Sequence, residues 1–161
     1  MNKLKIFYCV RWASAYKVPI EQMDEATAHA AHTQGKPYTV LFGDFYRPKV
    51  AIEVNKETNF IGVNFFDDFL RIVLSYSFVE LDEKTLFLSM ANYSEYISHS
   101  EDKAMSKSTI FYFNKSGSVS VTMTDHITKT TQEGTDSFDA SGNYEAYPEF
   151  GHYEALLKTE R

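Results

Sequence analysis

The feature that most limits what this chain can fold into is a two-residue alternation that recurs through residues 50–91. Four apolar-rich runs lie there, at 50–55, 60–66, 69–79 and 85–91. Short polar links separate them, among them Lys56-Glu57-Thr58-Asn59 and Asp82-Glu83-Lys84. In an extended chain successive side chains point to opposite faces. Over 69–79 that places Leu70, Ile72, Leu74, Tyr76 and Phe78 on one face and Arg71, Val73, Ser75 and Ser77 on the other. One apolar face per strand, with links too short for crossovers, predicts consecutive antiparallel strands.

The flanking segments extend this pattern. Residues 4–12 read as a first strand, with Trp12 as a core or rim anchor. Residues 19–34 read as the one helix. Pro19 suits a first helical position, Glu21, Asp24 and Glu25 suit the positive end of the dipole, and Ile20, Met23, Thr27, Ala30 and Ala31 form a narrow stripe. Gly35 is placed to cap the helix and Pro37 to stop it. A strand over 37–42 follows, then a loop over 43–48 whose Phe45 and Tyr46 are candidate partner-facing aromatics. Residues 93–108 read as a long polar connection. A hairpin over 109–113 and 118–124 turns through Asn114-Lys115-Ser116-Gly117, where Gly117 supplies a positive φ. Residues 126–131 read as one more polar-faced strand. The expected fold is α+β: a mainly antiparallel curved sheet or half-barrel carrying one N-terminal helix, in a single domain of 161 residues.

Aromatic content supports the sheet, since 13 Phe and 11 Tyr suit strands. The lone cysteine, Cys9, lies in the apolar run Ile6-Phe7-Tyr8-Cys9-Val10 and reads as a buried, inert thiol. No signal peptide and no membrane-length apolar run is legible, so a cytoplasmic protein is expected. The net charge is −6, which disfavours non-specific nucleic-acid binding. That charge is unevenly held. Residues 130–157 contain Glu133, Asp136, Asp139, Glu145, Glu149 and Glu154 and no Lys or Arg, so the remainder of the chain balances to zero.

No catalytic signature is present: no phosphate loop, no nucleophile elbow and no metalloprotease helix. His29 and His32 could share a helix face, but a metal needs a further ligand that the sequence does not indicate. Asp125 and His126 are adjacent, and in an extended strand they would face opposite ways. Asp67-Asp68 between two strands reads as a turn. No catalytic residue, no metal ligand and no cofactor is therefore expected.

The base-free segment is the leading functional candidate. Acids steer and register a basic partner while aromatics anchor it. The expected contacts are Asp136, Asp139, Glu145 and Glu149, with Tyr147 and Phe150 as anchors. Glu101 and Asp102 in the 93–108 connection form a second candidate surface. The alternative reading is an acidic strand-and-loop segment whose aromatics pack on the sheet.

In general character the chain resembles the immunity proteins of bacterial polymorphic toxin systems, of the contact-dependent inhibition and Rhs types. It is small, acidic and cysteine-poor, it is built on an antiparallel sheet, and it ends in Tyr144-Glu145-Ala146-Tyr147-Pro148-Glu149-Phe150-Gly151-His152-Tyr153. The resemblance implies a cytoplasmic protein that binds a toxin domain, often a basic nuclease, and blocks its active site or substrate surface. It carries no residue over position by position. Two other expectations stand beside it. One is a small ligand-binding or enzymatic α+β barrel, with Arg71, Tyr76 or His126 on a concave face. The other is an assembly protein that uses exposed sheet edges. The oligomeric state is left open.

Overall fold

The computed structural model describes residues 3–161. The strands are β1 (Ile6–Ala13), β2 (Val18–Met23), β3 (Tyr38–Phe42), β4 (Val50–Asn55), β5 (Phe60–Phe66), β6 (Ile72–Asp82), β7 (Thr85–Tyr96), β8 (Met105–Phe113), β9 (Ser118–Asp125), β10 (Thr130–Ser137) and β11 (Tyr144–Ala146), and the α-helix α1 spans Glu25–Gln34. Among the described residues these eleven strands make one antiparallel sheet that does not close, in the order β10-β9-β8-β7-β6-β5-β4-β3-β1-β2. β11 pairs with the first residues of β7, Thr85–Phe87, while β8 pairs with its later part from Met90 onward. The expected α+β class, with one helix near the N-terminus, is what forms.

Nearly every neighbour in this order is also a neighbour in sequence, because links of two to eight residues suffice for antiparallel strands. The departure is the β1–β3 pairing. There β2 folds back as the edge strand beyond β1, and α1 then crosses one face, touching β1, β2 and β3, before β3 pairs with the other side of β1.

The core lies mainly on one face of the central strands. Val40, Ile52, Val63, Phe78 and Leu88 are buried there, and Ala28 and Ala31 of α1 seal one end. Small alanines let a helix approach a sheet closely, which suits a helix whose apolar stripe is this narrow. The C-terminal segment crosses the same face, burying Tyr153 and Leu156 and packing Tyr147 and Phe150 against them. A smaller cluster occupies the opposite face, where Cys9, Leu41, Ala51 and Phe66 gather Phe7, Trp12, Phe45, Leu70 and Ile72. Cys9 is fully buried and burial pushes its thiol up to about 11, so it stays protonated.

Four local expectations change. The helix begins at Glu25, not at Pro19. Residues 18–23 are an edge strand, where a proline without an N–H is tolerated. Asp24 is the N-cap, its carboxylate accepting the Thr27 N–H at 2.7 Å. The C-terminal end matches the expectation: Gly35 adopts φ 68° and its N–H and that of Lys36 close on His32 and Ala31 carbonyls. The alternation through 69–79 is broken near its start. Phe65 pairs with Leu74 but Phe66 pairs with Ile72, a bulge at Val73. One extra residue reverses the facing, so Leu70 and Ile72 join the smaller cluster while Leu74, Tyr76 and Phe78 join the main core. The 93–108 connection is mostly strand, because β7 continues to Tyr96 and β8 begins at Met105. Finally, 126–129 is a turn fastened by the Asp125 carboxylate, and the following strand runs over Thr130–Ser137.

The 109–124 hairpin forms as expected, with Gly117 at φ 92° and its N–H bonded to the Asn114 carbonyl.

Candidate functional site

Beyond β7 the sheet runs out of cover. β8 and β9 are largely half-buried and every residue of β10 is exposed, because neither α1 nor the C-terminal segment packs on them. This three-stranded wing still carries an apolar face. Register places Ala91, Phe111 and Val121 side by side, with Tyr93, Thr109 and Met123 in the next row and Phe113 and Val119 beside them. Phe111 and Phe113 stack with ring planes 6° apart, and Tyr93 meets the Phe111 edge at 5.9 Å.

The crossing from β10 into β11 turns this face into a cleft of about 520 Å³. Tyr76, Leu88 and Ala91 form its floor, the wing aromatics one wall, and Phe138, Gly142 and Asn143 the other. The second wall is held by specific bonds. The Phe138 N–H donates to the Gly117 carbonyl at 2.9 Å, and the Phe138 ring lies 5.2 Å from that of Phe113. Buried Asn143 donates Nδ2 to the Leu88 carbonyl at 3.0 Å. A volume of this size is typical of preformed binding sites.

Its polar groups are few. The Tyr76 hydroxyl is buried and makes no close hydrogen bond, with Tyr93 and Arg161 as its polar neighbours. Burial, followed by the neighbouring Tyr93, pushes its pKa up to about 12, so the group is a neutral hydroxyl. Arg161 lies over the Tyr76 and Phe78 rings at 5.2 and 5.1 Å and is held from behind: Nη1 bonds Glu145 Oε1 at 2.8 Å, and Lys158 reaches the same oxygen at 3.0 Å. Asp136 and Asp139 on the rim are exposed and have no ion-pair partner among the described residues. The Asp136 carboxylate accepts the Ser137 N–H at 2.8 Å, and that of Asp139 accepts the Ser141 N–H at 3.0 Å. The cleft therefore offers aromatic walls, a buried hydroxyl in its floor and two exposed acids on its rim.

The sequence candidates divide around this site. Asp136 and Asp139 line it. Glu145 lies behind it, largely covered and paired with Lys158 and Arg161, so it is already neutralised within the fold. Tyr147 and Phe150 lie on the far side of the main core. Phe150 stacks on Tyr8 at 5.2 Å and on His29 at 4.7 Å, and the Lys56 ammonium sits 4.7 Å from the Tyr147 ring centroid. Their sites are those of packing aromatics. Glu149 is exposed in the adjoining turn. The cleft walls Tyr93, Phe111, Phe113 and Phe138 were not among the sequence candidates. Their only signal was aromatic residues on strands that otherwise read as polar.

Glu101 and Asp102 sit in an exposed loop, 97–104, that a second constellation fixes. Arg71 is buried, and its Nε bonds Asp67 Oδ2 at 2.8 Å. Its Nη1 donates to the Ser98 and Asp102 carbonyls at 2.8 and 2.7 Å, and its guanidinium lies 4.2 Å from the Tyr96 ring centroid. Asp67 Oδ1 also holds the Phe69 and Arg71 N–H groups, which stabilises a turn in which Leu70 takes a φ of 58°. A branched side chain rarely adopts that conformation, so the clasp offsets local strain. Burial raises the Asp67 pKa, but its bonds to Arg71 and Phe69 outweigh that and hold the carboxyl below its ordinary value.

Of the histidines, His32 Nδ1 lies 2.8 Å from the Tyr38 hydroxyl, His29 stacks on Phe150, and His126 Nε2 lies 2.9 Å from Ser108 Oγ. Each therefore has a local partner. No helix among the described residues is long and apolar enough to cross a membrane.

Comparison with known proteins returns no matching family model, no matching characterised protein and no matching solved structure.

Proposed function

We propose that this chain is a binding protein that captures a basic protein partner on the β8–β10 wing, in the manner of the immunity proteins it resembles. The observation that supports this reading best is the uncovered aromatic cleft whose exposed rim acids, Asp136 and Asp139, have no ion-pair partner among the described residues. An aromatic wall gives an anchoring pocket, and exposed acids at its rim raise encounter rates and disfavour acidic competitors. A Lys or Arg side chain fits both parts, with its aliphatic stem against Phe111, Phe113 and Phe138 and its charge at the rim. Where the partner is a nuclease domain, covering its basic substrate surface is enough to silence it.

The test is co-expression with the product of the neighbouring gene. A stable complex, relief of that product's toxicity, and loss of both in F111A/D136K support the proposal. The variant should melt close to the native protein, because both sites lie on the thinly packed wing. A pair that neither co-elutes nor relieves toxicity ends it.

A second reading has its own observation. The buried Tyr76 hydroxyl, which makes no close hydrogen bond at the floor of a cleft of about 520 Å³, suits a small aromatic ligand with one acceptor. A thermal-shift screen in which hits vanish in Y76F would favour that reading over a protein partner.

A further inference from the structure

The two lateral edges of the sheet are built differently. β2 carries Pro19, which has no N–H to offer, and Glu21, whose left-handed φ of 50° interrupts the extended backbone. Both obstruct the pairing of a further strand. β10 has neither. It keeps unbroken register with β9 from Thr130↔Asp125 to Ser137↔Ser118, and it contains no Pro, Lys or Arg. All of its residues are exposed, and no strand pairs with its outer side among the described residues.

The direction of its main-chain groups follows from one bond. Phe138 donates its N–H to Gly117, so this pair and every second pair before it exchange hydrogen bonds with β9. The N–H groups of Gln132, Gly134 and Asp136 therefore point to β9, and those of Thr131, Glu133, Thr135 and Ser137 point outward. Ser137 N–H is taken up by the Asp136 carboxylate. Thr131, Glu133 and Thr135 are left offering donors and acceptors to an additional strand.

We infer that this edge accepts an extended basic segment of a partner polypeptide, paired antiparallel to β10. The inference rests on the reading of a basic protein partner and adds the mode of contact. Glu133 and Asp136 are three residues apart, so they face opposite sides of the ladder: Asp136 shares the cleft face with Val119, and Glu133 the other face with Thr122. Gly134 between them leaves a notch on the cleft face, where an added Cβ would meet nothing within 4 Å. A matching antiparallel strand reads basic, any residue, large apolar, basic: one cation beside Asp136, an apolar side chain over the notch, and one cation beside Glu133. A second copy of β10 is disfavoured in the register that sets Glu133 opposite Glu133, where like charges meet, and no register gives either acid a cation.

The probe is a blocked ten-residue strand peptide containing Arg-Thr-Phe-Arg, with a control in which Glu replaces both arginines. NMR of the full chain should show the Thr131, Glu133 and Thr135 amide hydrogens gaining protection with the arginine peptide and not with the control. T131P/T135P removes two outward donors and leaves the β9 ladder intact, so it should fold and weaken the peptide about tenfold or more. E133K/D136K, whose main chain is unaltered, should weaken it comparably at low salt. Equal binding of both peptides, or undiminished binding in both variants, overturns the inference. So does a wild-type dimer in sedimentation that T131P/T135P abolishes, since the occupant would then be a second copy. If the neighbouring gene product is still neutralised by T131P/T135P, this edge is not its contact and the cleft proposal stands alone.

Discussion

The sheet has two halves that use similar strands for different ends. From β1 to β7 one face is covered by α1 and the C-terminal segment, and on β1, β3, β4 and β5 the smaller Cys9–Phe66 cluster packs on the other. From β8 to β10 the apolar face is left open and the opposite face is rich in Ser and Thr. Full burial of a large apolar side chain is worth roughly 1.5–3 kcal/mol, and half-burial correspondingly less. Stability therefore resides in the first half. The second half keeps its aromatics only half-buried, which contributes less to the fold and is the exposure that the proposed partner-binding role would use. Confining the unpaired acids of the cleft to that half tells the same story in charge.

The sharpest way to break this contrast is to truncate one phenylalanine in each half. F78A removes a ring that is fully buried between Tyr76 and the core, and should cost about 3–5 kcal/mol. F111A removes a half-exposed ring and should cost about 1 kcal/mol, since solvent already reaches the site. Urea melts of the two variants give the comparison directly. Equal losses would mean that the wing is as integral to the fold as the centre.

The Arg71 clasp joins the two halves and should rank next. R71M keeps much of the stem volume but removes the guanidinium donor from Asp67 Oδ2 and from the Ser98 and Asp102 carbonyls. A loss of about 3 kcal/mol is expected, with faster amide exchange across 97–104. A stability loss without loosening of that loop would show that the clasp holds the 67–71 turn alone.

Acid should weaken the first half before the wing. His32 sits half-buried against Tyr38, and burial, followed by His29 and Lys56, lowers its pKa below 6.5. Below 6.5 the unfolded chain takes up a proton more readily than the folded one, so stability falls as pH drops through that point. Asp67 and Glu145 act further down. Burial opposes the shift in both, but Arg71 for one, and Lys158 and Arg161 for the other, hold them below ordinary carboxyl values. Their contribution is complete above about pH 4.5 and is lost as pH falls through their folded pKa values. Thermal melts from pH 7 to 3 should show an early decline that H32Q removes and a later one that it does not.

How far the sequence could be read follows the same division. The strands of the packed half were legible because one buried face imposes alternation, and β4 and β5 fall where it put them. Legibility failed where a local device reversed a pattern. Pro19 reads equally as a first helical residue and as an edge-strand residue, and only the pairing of Ile20 with Arg11 decides. The Val73 bulge turned Leu70 and Ile72 to the other face. In the wing, polar residues on one face and water on the other erase the contrast that marks a strand, so the 93–108 segment looked like a connection. The cleft was harder still. Tyr76, Tyr93, Phe111, Phe138 and Arg161 meet only through sheet order, and the two aromatic anchors expected from the acidic segment, Tyr147 and Phe150, pack away from it. The acids Asp136 and Asp139 were found by charge asymmetry, which needs no fold.

The smallest expected effect has the opposite sign. Gly134 lies mid-strand in β10 with an ordinary φ, and a Cβ placed there meets no neighbour within 4 Å. A glycine in a strand interior loses more entropy on folding than a β-branched residue does. G134T should therefore stabilise the protein by roughly 0.5 kcal/mol, seen as a small rise in urea midpoint with unchanged slope. The same substitution fills the notch beside Asp136, so it should weaken the Arg-Thr-Phe-Arg peptide while strengthening the fold. A wing that is a binding surface tolerates that separation of stability from affinity. A wing that is part of the core does not, and in that case G134T would lower the midpoint through contacts that the open face does not have.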